Sequence, residues 1–137
     1  MKEKYLKELI KLTNKSTKCN DVPVGAIVVK NGKIISKGYN KREKNKLVIN
    51  HAEIVAILKA NKKLNSCFLY DCDLYVTLKP CEMCEKIINN ARIDNVFYLL
   101  DKPESKKEYN KTKLVYLQTS YEKKYKEILQ KFFNKLR

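Results

Sequence analysis

The chain has a single histidine, His51, and only three arginines, Arg42, Arg92 and Arg137, in 137 residues. Acids are also scarce: 15 Asp and Glu stand against 30 Lys and Arg, a formal net charge of +15. No apolar run approaches the ~20 residues needed to cross a membrane. The N-terminus, Met1-Lys2-Glu3-Lys4, runs straight into an amphipathic pattern without the apolar h-region of a signal peptide. These absences lead to the expectation of a cytoplasmic protein with no membrane partner. Neither an internal repeat nor a linker long enough to divide domains is visible, so residues 1–137 are expected to form one domain, large enough to bury a core.

The five cysteines, Cys19, Cys67, Cys72, Cys81 and Cys84, are odd in number and lack a secretory context. Metal ligands or reduced thiols therefore fit better than a disulfide framework. Cys67 and Cys72 flank a short apolar piece and are expected to be reduced and structural. The positive charge points to an anionic partner, with nucleic acid the first candidate. It is nearly all lysine, however, which is poorer than arginine at bidentate phosphate or base contacts. A composition set by an AT-rich genome explains it equally well.

The apolar pattern places the elements. Residues 2–15 carry Tyr5, Leu6, Leu9, Ile10 and Leu12 at helical spacing, followed by a polar loop over 13–21. Residues 22–29 read as a buried strand, Asn31-Gly32 as a type I′ hairpin turn, and 33–39 as the returning strand. After a lysine-rich loop over 40–50, a helix starts near His51. A strand over 74–78 follows, and then a helix opened by Pro80 at its first position. Residues 96–100 and 114–117 are two more strands, and 121–137 a last helix with Tyr125, Ile128, Leu129, Phe132 and Phe133 on one side. The order α-β-β-α-β-α-β-β-α implies a mixed five-stranded sheet flanked by helices. The 12 residues between the last two strands leave their relative direction open, since a parallel crossover needs about a dozen or more.

His51 and the pair Cys81/Cys84 are the chemistry-bearing residues. Cysteines at i and i+3 in a first helical turn share one face, and the helix N-terminus favours their thiolates. With histidine as third ligand, a tetrahedral zinc keeps one open position, the mark of a catalytic site. A structural zinc closed by Cys19, Cys67 or Cys72 is the competing reading, although zinc ribbons usually carry two Cys-x-x-Cys pairs and there is one here. Glu53, two residues after the histidine, is placed to move a proton between a zinc-activated water and a leaving amine. Glu82 and Glu85 read as exposed first-turn acids, and Met83 as core.

His51-Ala52-Glu53 with Pro80-Cys81-Glu82-Met83-Cys84 resembles the H-x-E with P-C-x-x-C signature of the zinc-dependent cytidine/deoxycytidylate deaminase superfamily. Within it, residues 21–26, Gly38-Tyr39-Asn40 and 74–84 look most like bacterial tRNA-specific adenosine deaminases, continuing into Ala91-Arg92-Ile93 and a weaker match at 132–137. The resemblance implies a three-layer α-β-α cytidine-deaminase-like fold and one Zn2+ per subunit, held by His51, Cys81 and Cys84. It implies a zinc-dependent hydrolase that turns adenosine into inosine at the wobble position of a tRNA anticodon, with Glu53 as proton shuttle. Asn40, Val22, Ala52 and Leu78 would contact the base, and Phe132 and Phe133 the RNA. A homodimer in the cytoplasm is implied as well. A deaminase of free guanine, cytosine or a nucleoside, and a non-catalytic zinc-stabilised RNA-binding module, are the alternatives. Two departures from the family pattern stand out. Lys79 occupies a position usually held by glutamate, and the segment after Leu100 is shorter than usual.

Overall fold

The computed structural model describes residues 3–101 and 112–136. Its elements are α1 (Glu3–Lys18), β1 (Gly25–Lys30), β2 (Lys33–Tyr39), α2 (Arg42–Asn45), α3 (Ala52–Leu64), β3 (Cys72–Leu78), α4 (Glu82–Asn90), β4 (Asn95–Leu100), β5 (Lys113–Tyr116) and α5 (Tyr121–Lys135). The five strands form one sheet in the order β2-β1-β3-β4-β5. β1 runs antiparallel to both β2 and β3, whereas β3, β4 and β5 are mutually parallel. The direction of the last strand, open from sequence, is thus parallel. Most of its crossover lies outside the described residues.

Alternation along the strands builds two cores. Ala26, Val28, Leu74, Val76, Val96 and Tyr98 face α3 and α4, joining Ile54, Ile57, Cys84 and Ile88. Ile27, Val29, Tyr75 and Leu99 face the other way, against Tyr5, Leu6, Leu9 and Leu12 of α1. Helix α5 packs beside α1 and on β4, anchored by the fully buried Tyr125. Both strand faces are covered, which is why β1, β3 and β4 read as nearly continuous apolar runs rather than alternating ones. The result is the three-layer α-β-α arrangement.

The hairpin is as expected: Asn31 (φ 52°) and Gly32 (φ 75°) both take positive φ, the requirement of a type I′ turn. Four expectations are corrected. Helix α1 continues to Lys18, beyond the end at residue 15 that its apolar spacing suggested. Thr13 donates back to the Ile10 carbonyl (2.6 Å) and Ser16 to the Val24 carbonyl (3.1 Å), so their hydroxyls are satisfied without breaking the helix. Strand β1 begins at Gly25, because the Val22 and Val24 carbonyls bond Asn40 instead of a strand partner. Pro80 lies before the helix it was expected to open: α4 starts at Glu82 with Cys81 as its N-cap. Met83 is 39% exposed, not core.

A two-thiol-and-imidazole end of the sheet as candidate active site

Strands β3 and β4 end where β2 ends and β1 begins, and helices α3 and α4 both start there. The carboxyl edge of a parallel sheet, faced by helix N-termini, is the usual place for a ligand in such folds. His51 is the N-cap of α3 (φ −72°, ψ 152°) and Cys81 the N-cap of α4 (φ −73°, ψ 169°), both extended and neither using its side chain to cap its own helix. Cys84 follows one turn into α4, fully buried. The His51 Nδ1 atom lies 3.6 Å from Cys84 Sγ and 4.0 Å from Cys81 Sγ. The three ligand atoms are all within 4.8 Å of one another.

These distances test whether zinc fits. With Zn–S near 2.3 Å and Zn–N near 2.0–2.1 Å, a tetrahedral site has edges of about 3.5–3.8 Å. The His51–Cys84 separation meets that, and the His51–Cys81 separation needs a contraction of a few tenths of an ångström. The thiol chemistry agrees. The Cys84 side chain and the His51 ring hold the Cys81 thiol down at about 3, far below the ordinary thiol range, so Cys81 is a thiolate at neutral pH. Its bond to Cys81 raises His51, against the opposing effect of burial and with help from Glu53. Among the described residues, His51, Cys81 and Cys84 are the group of this kind. The cysteines suggested as a fourth ligand, Cys19, Cys67 and Cys72, are not in it, and no disulfide joins any of the five. The arrangement therefore suits a three-ligand site with an open position.

Glu53 is the second residue of α3, only 4% exposed, on the first turn beside His51. That burial distinguishes it from a solvated helix-surface acid. Asn40 explains how the N-cap histidine is released for a ligand. Its Oδ1 accepts from the Ala52 N–H (2.8 Å), one of the N–H groups that a helix start leaves without an internal partner. Its Nδ2 donates to the Val22 carbonyl (3.0 Å). Asn40 thus caps α3 from another element and ties residues 22–24 to it. Leu78 and Val22 pack against the same core as Cys81, so Asn40, Val22, Ala52 and Leu78 gather at this end. Phe132 and Phe133 lie edge to face against each other (5.3 Å, 79°), with Phe132 buried and Phe133 exposed.

Three supporting residues escaped the sequence reading. A Cβ on Gly38 would lie 2.4 Å from the Ala52 carbonyl oxygen and 2.7 Å from the Ala56 nitrogen, so glycine alone lets α3 seat this closely on β2. Ser36 donates to the Ala56 carbonyl (2.7 Å) on the same contact. Asp21 is buried, and both its carboxylate oxygens accept the Glu43 N–H (3.2 Å), which fixes α2 inside the loop after Asn40. Gly38 did stand in a quoted motif, but nothing in one sequence says which backbone approaches it. Lys79, the unexplained residue before Pro80-Cys81, is also accounted for. It is buried, its ammonium lies 3.9 Å from Asp101 and 5.8 Å from the Tyr98 ring centroid, and its N–H bonds the Leu100 carbonyl. Its charge is engaged at the end of β4.

The comparisons agree with this geometry. The model of the MafB19-like deaminase family matches residues 1–137. A protein of Aquifex aeolicus named tRNA-specific adenosine deaminase is 45% identical over 102 residues, 74% of this chain and 68% of that one. The chain covers less of other relatives of that name, 59% of the one from Streptococcus pyogenes, which is 40% identical over 94 residues. A structure solved in work on A-to-I editing by tRNA:A34 deaminases at the wobble position superimposes with a TM-score of 0.82 at 28% identity, covering 92% of this chain and 99% of that one. The Bacillus subtilis guanine deaminase structure superimposes with a TM-score of 0.69 at 26% identity, covering 96% and 94%. Signature, fold and site geometry converge: the chain belongs to the MafB19-like deaminase family, in the cytidine deaminase-like superfamily, as a relative of the bacterial tRNA-specific adenosine deaminases.

Proposed function

We propose that this protein hydrolyses adenosine to inosine at the wobble position of a tRNA anticodon, using one zinc ion per subunit held by His51, Cys81 and Cys84. The observation that carries the reaction type is the buried Glu53 beside a three-ligand group. Zinc, when bound, supplies a Lewis acid that brings the pKa of a water from ~15.7 to about 7. Glu53 takes the proton of the attacking water and returns it to the departing amine. One C–O bond forms at the purine carbon, one C–N bond breaks, and ammonia leaves.

Beyond its bonds to Val22 and Ala52, the Asn40 amide has a second N–H and a second lone pair to offer a base edge. Val22, Leu78 and the Ala52 backbone wall the pocket, and Phe132 and Phe133 belong to an RNA-contacting end of α5. The tRNA substrate is supported by the identity to adenosine deaminases of that name and by the +15 charge. A homodimer is part of the reading. Leu47, Val48 and Ile49, just before His51 and 47–68% exposed, and Leu58 on α3 are exposed apolar side chains of the kind a second copy covers. No described helix is long and apolar enough to cross a membrane.

The test is turnover by zinc-loaded protein of a tRNA with adenosine at the wobble position, alongside guanine and cytidine. Inosine should form in the anticodon and fall by 10²–10⁴ in Glu53→Ala, the usual worth of a proton-transfer group, while that variant keeps its zinc. Guanine turnover with the tRNA untouched would replace this reading with the free-base one. Bound zinc with no deamination of any of the three would leave a binding module.

A further inference from the structure

Beside the zinc site, at the outer edge of the sheet, two lysines meet over one tyrosine and two more lie close enough to act on one of them. The Lys41 ammonium lies 4.7 Å from the centroid of the Tyr39 ring, and the Lys15 ammonium 6.0 Å from the same ring. They come from separate elements: Lys15 from α1, Lys41 from the N-cap position of α2. Lys44 of α2 and Lys59 of α3 act on Lys41 as well. Burial lowers the pKa of Lys41 first, and the charges of Lys59, Lys44 and Lys15 lower it further, with only Cys19 acting the other way.

Among the described residues none of the four lysines pairs with a carboxylate. Of the acids in or beside these elements, Glu8 pairs with Lys37 (3.4 Å) and Asp21 accepts the Glu43 N–H. The face of Tyr39 offsets part of the repulsion, since a ring holds a cation by its quadrupole. The rest is a standing excess of positive charge that an anion would relieve.

The cluster is tied to the site by short backbone links. Lys41 N–H donates to the Asn50 carbonyl (3.0 Å), the residue before His51, and Asn40 caps the helix that carries Glu53. Positive charge spread from α1 to α3 suits a row of anions better than a single one. We propose that the Lys15–Lys41–Lys44–Lys59 cluster around Tyr39 is a subsite for the backbone phosphates of single-stranded RNA flanking the nucleotide bound at the zinc end. This rests on the reading of an RNA substrate, and its test is independent of turnover.

Binding of an anticodon stem-loop carrying inosine, the product base, is measured by fluorescence anisotropy over a range of NaCl concentrations. Each single-stranded phosphate contact adds about 0.7 to the slope of log K against log[salt]. The double variant Lys41→Gln/Lys59→Gln should lower that slope by about 1.4, so that its affinity falls roughly sevenfold less than the wild type's between 50 and 200 mM salt. The charge-matched pair Lys62→Gln/Lys63→Gln, at the far end of α3, should keep the wild-type slope. Lys41→Arg/Lys59→Arg should restore it, and zinc content and melting temperature check that every variant folds. Equal slopes for the two glutamine pairs would overturn the proposal, as would a wild type that binds no stem-loop at 50 mM salt. Inorganic phosphate competing beyond its ionic strength would also overturn it, by assigning the cluster to a free anion. Guanine turnover without RNA turnover would remove the proposed reaction, and the slopes would still decide the patch.

Discussion

The zinc end of the sheet is held differently on its two flanks. On the β1–β2 side, α3 is seated by contacts that leave almost no freedom: the bare Cα of Gly38 under the Ala52 carbonyl, Ser36 on the Ala56 carbonyl, and Asn40 bridging Val22 to Ala52. On the β4–β5–α5 side the contacts are longer or more exposed. Lys79 meets Asp101 at 3.9 Å with the carboxylate half exposed, Tyr116 and Glu122 bond at the surface, and Phe133 stands out toward solvent. Buried hydrogen bonds and a backbone-on-backbone approach resist displacement, whereas exposed ion pairs are screened and contribute little. The first flank carries His51, Glu53 and the lysines near Tyr39, and the second lies where this chain departs from the family pattern. The proposed proton shuttle and phosphate subsite thus sit on the stiff side, and the proposed Phe132–Phe133 contact on the other.

Substitutions on the two flanks should therefore separate. The largest effect is expected for Gly38→Ala. A methyl group 2.4 Å from a backbone oxygen must push α3 away from β2, costing about 3 kcal/mol by the measure of other overpacked cores. Zinc affinity should fall with stability, because His51 and Glu53 ride on α3. Urea unfolding and metal titration read both, and a midpoint equal to the wild type's would break the idea of a rigid flank.

Asn40→Ala comes next. It strips the Ala52 N–H and the Val22 carbonyl of partners, worth roughly 2 kcal/mol together. Asn40→Asp keeps an acceptor for Ala52 and adds negative charge at a helix N-terminus, so it should lose less. Were Asp as damaging as Ala, the helix-capping role would be wrong. Phe133→Ala should disturb the fold least. An exposed side chain contributes within about 0.5 kcal/mol, so the melting temperature should hardly move, while stem-loop binding drops roughly tenfold if the ring stacks on a base. A large loss of stability with unchanged binding would reverse the assignment and make Phe133 a packing residue like Phe132.

Much of this was legible in the residues. The hairpin followed from Asn31-Gly32, the start of α3 from His51, and the candidate ligands from the only histidine and the only Cys-x-x-Cys. These are local signals, set by φ preferences and short spacings. What failed was of two kinds. Element ends shifted where a side chain found a distant partner: α1 ran on because Ser16 reaches Val24, and β1 started late because Asn40 takes the Val22 and Val24 carbonyls. Burial was misjudged where one residue type serves two faces, as with Met83, apolar yet on the exposed side of α4.

The sequence by itself pointed to the candidate metal site: a histidine two residues from a glutamate and a pair of cysteines one turn apart leave few other uses for those side chains. The tertiary structure alone decided how that centre is held. It sets the last strand parallel, gives Lys79 its place between Tyr98 and Asp101, makes Gly38 indispensable to the seat of α3, and brings Lys15 and Lys41 over Tyr39 with Lys44 and Lys59 near Lys41. Each of these is a meeting of residues far apart in the chain. Propensity and spacing act over a few residues, and the distances that matter here are closed only when the sheet brings the helices together.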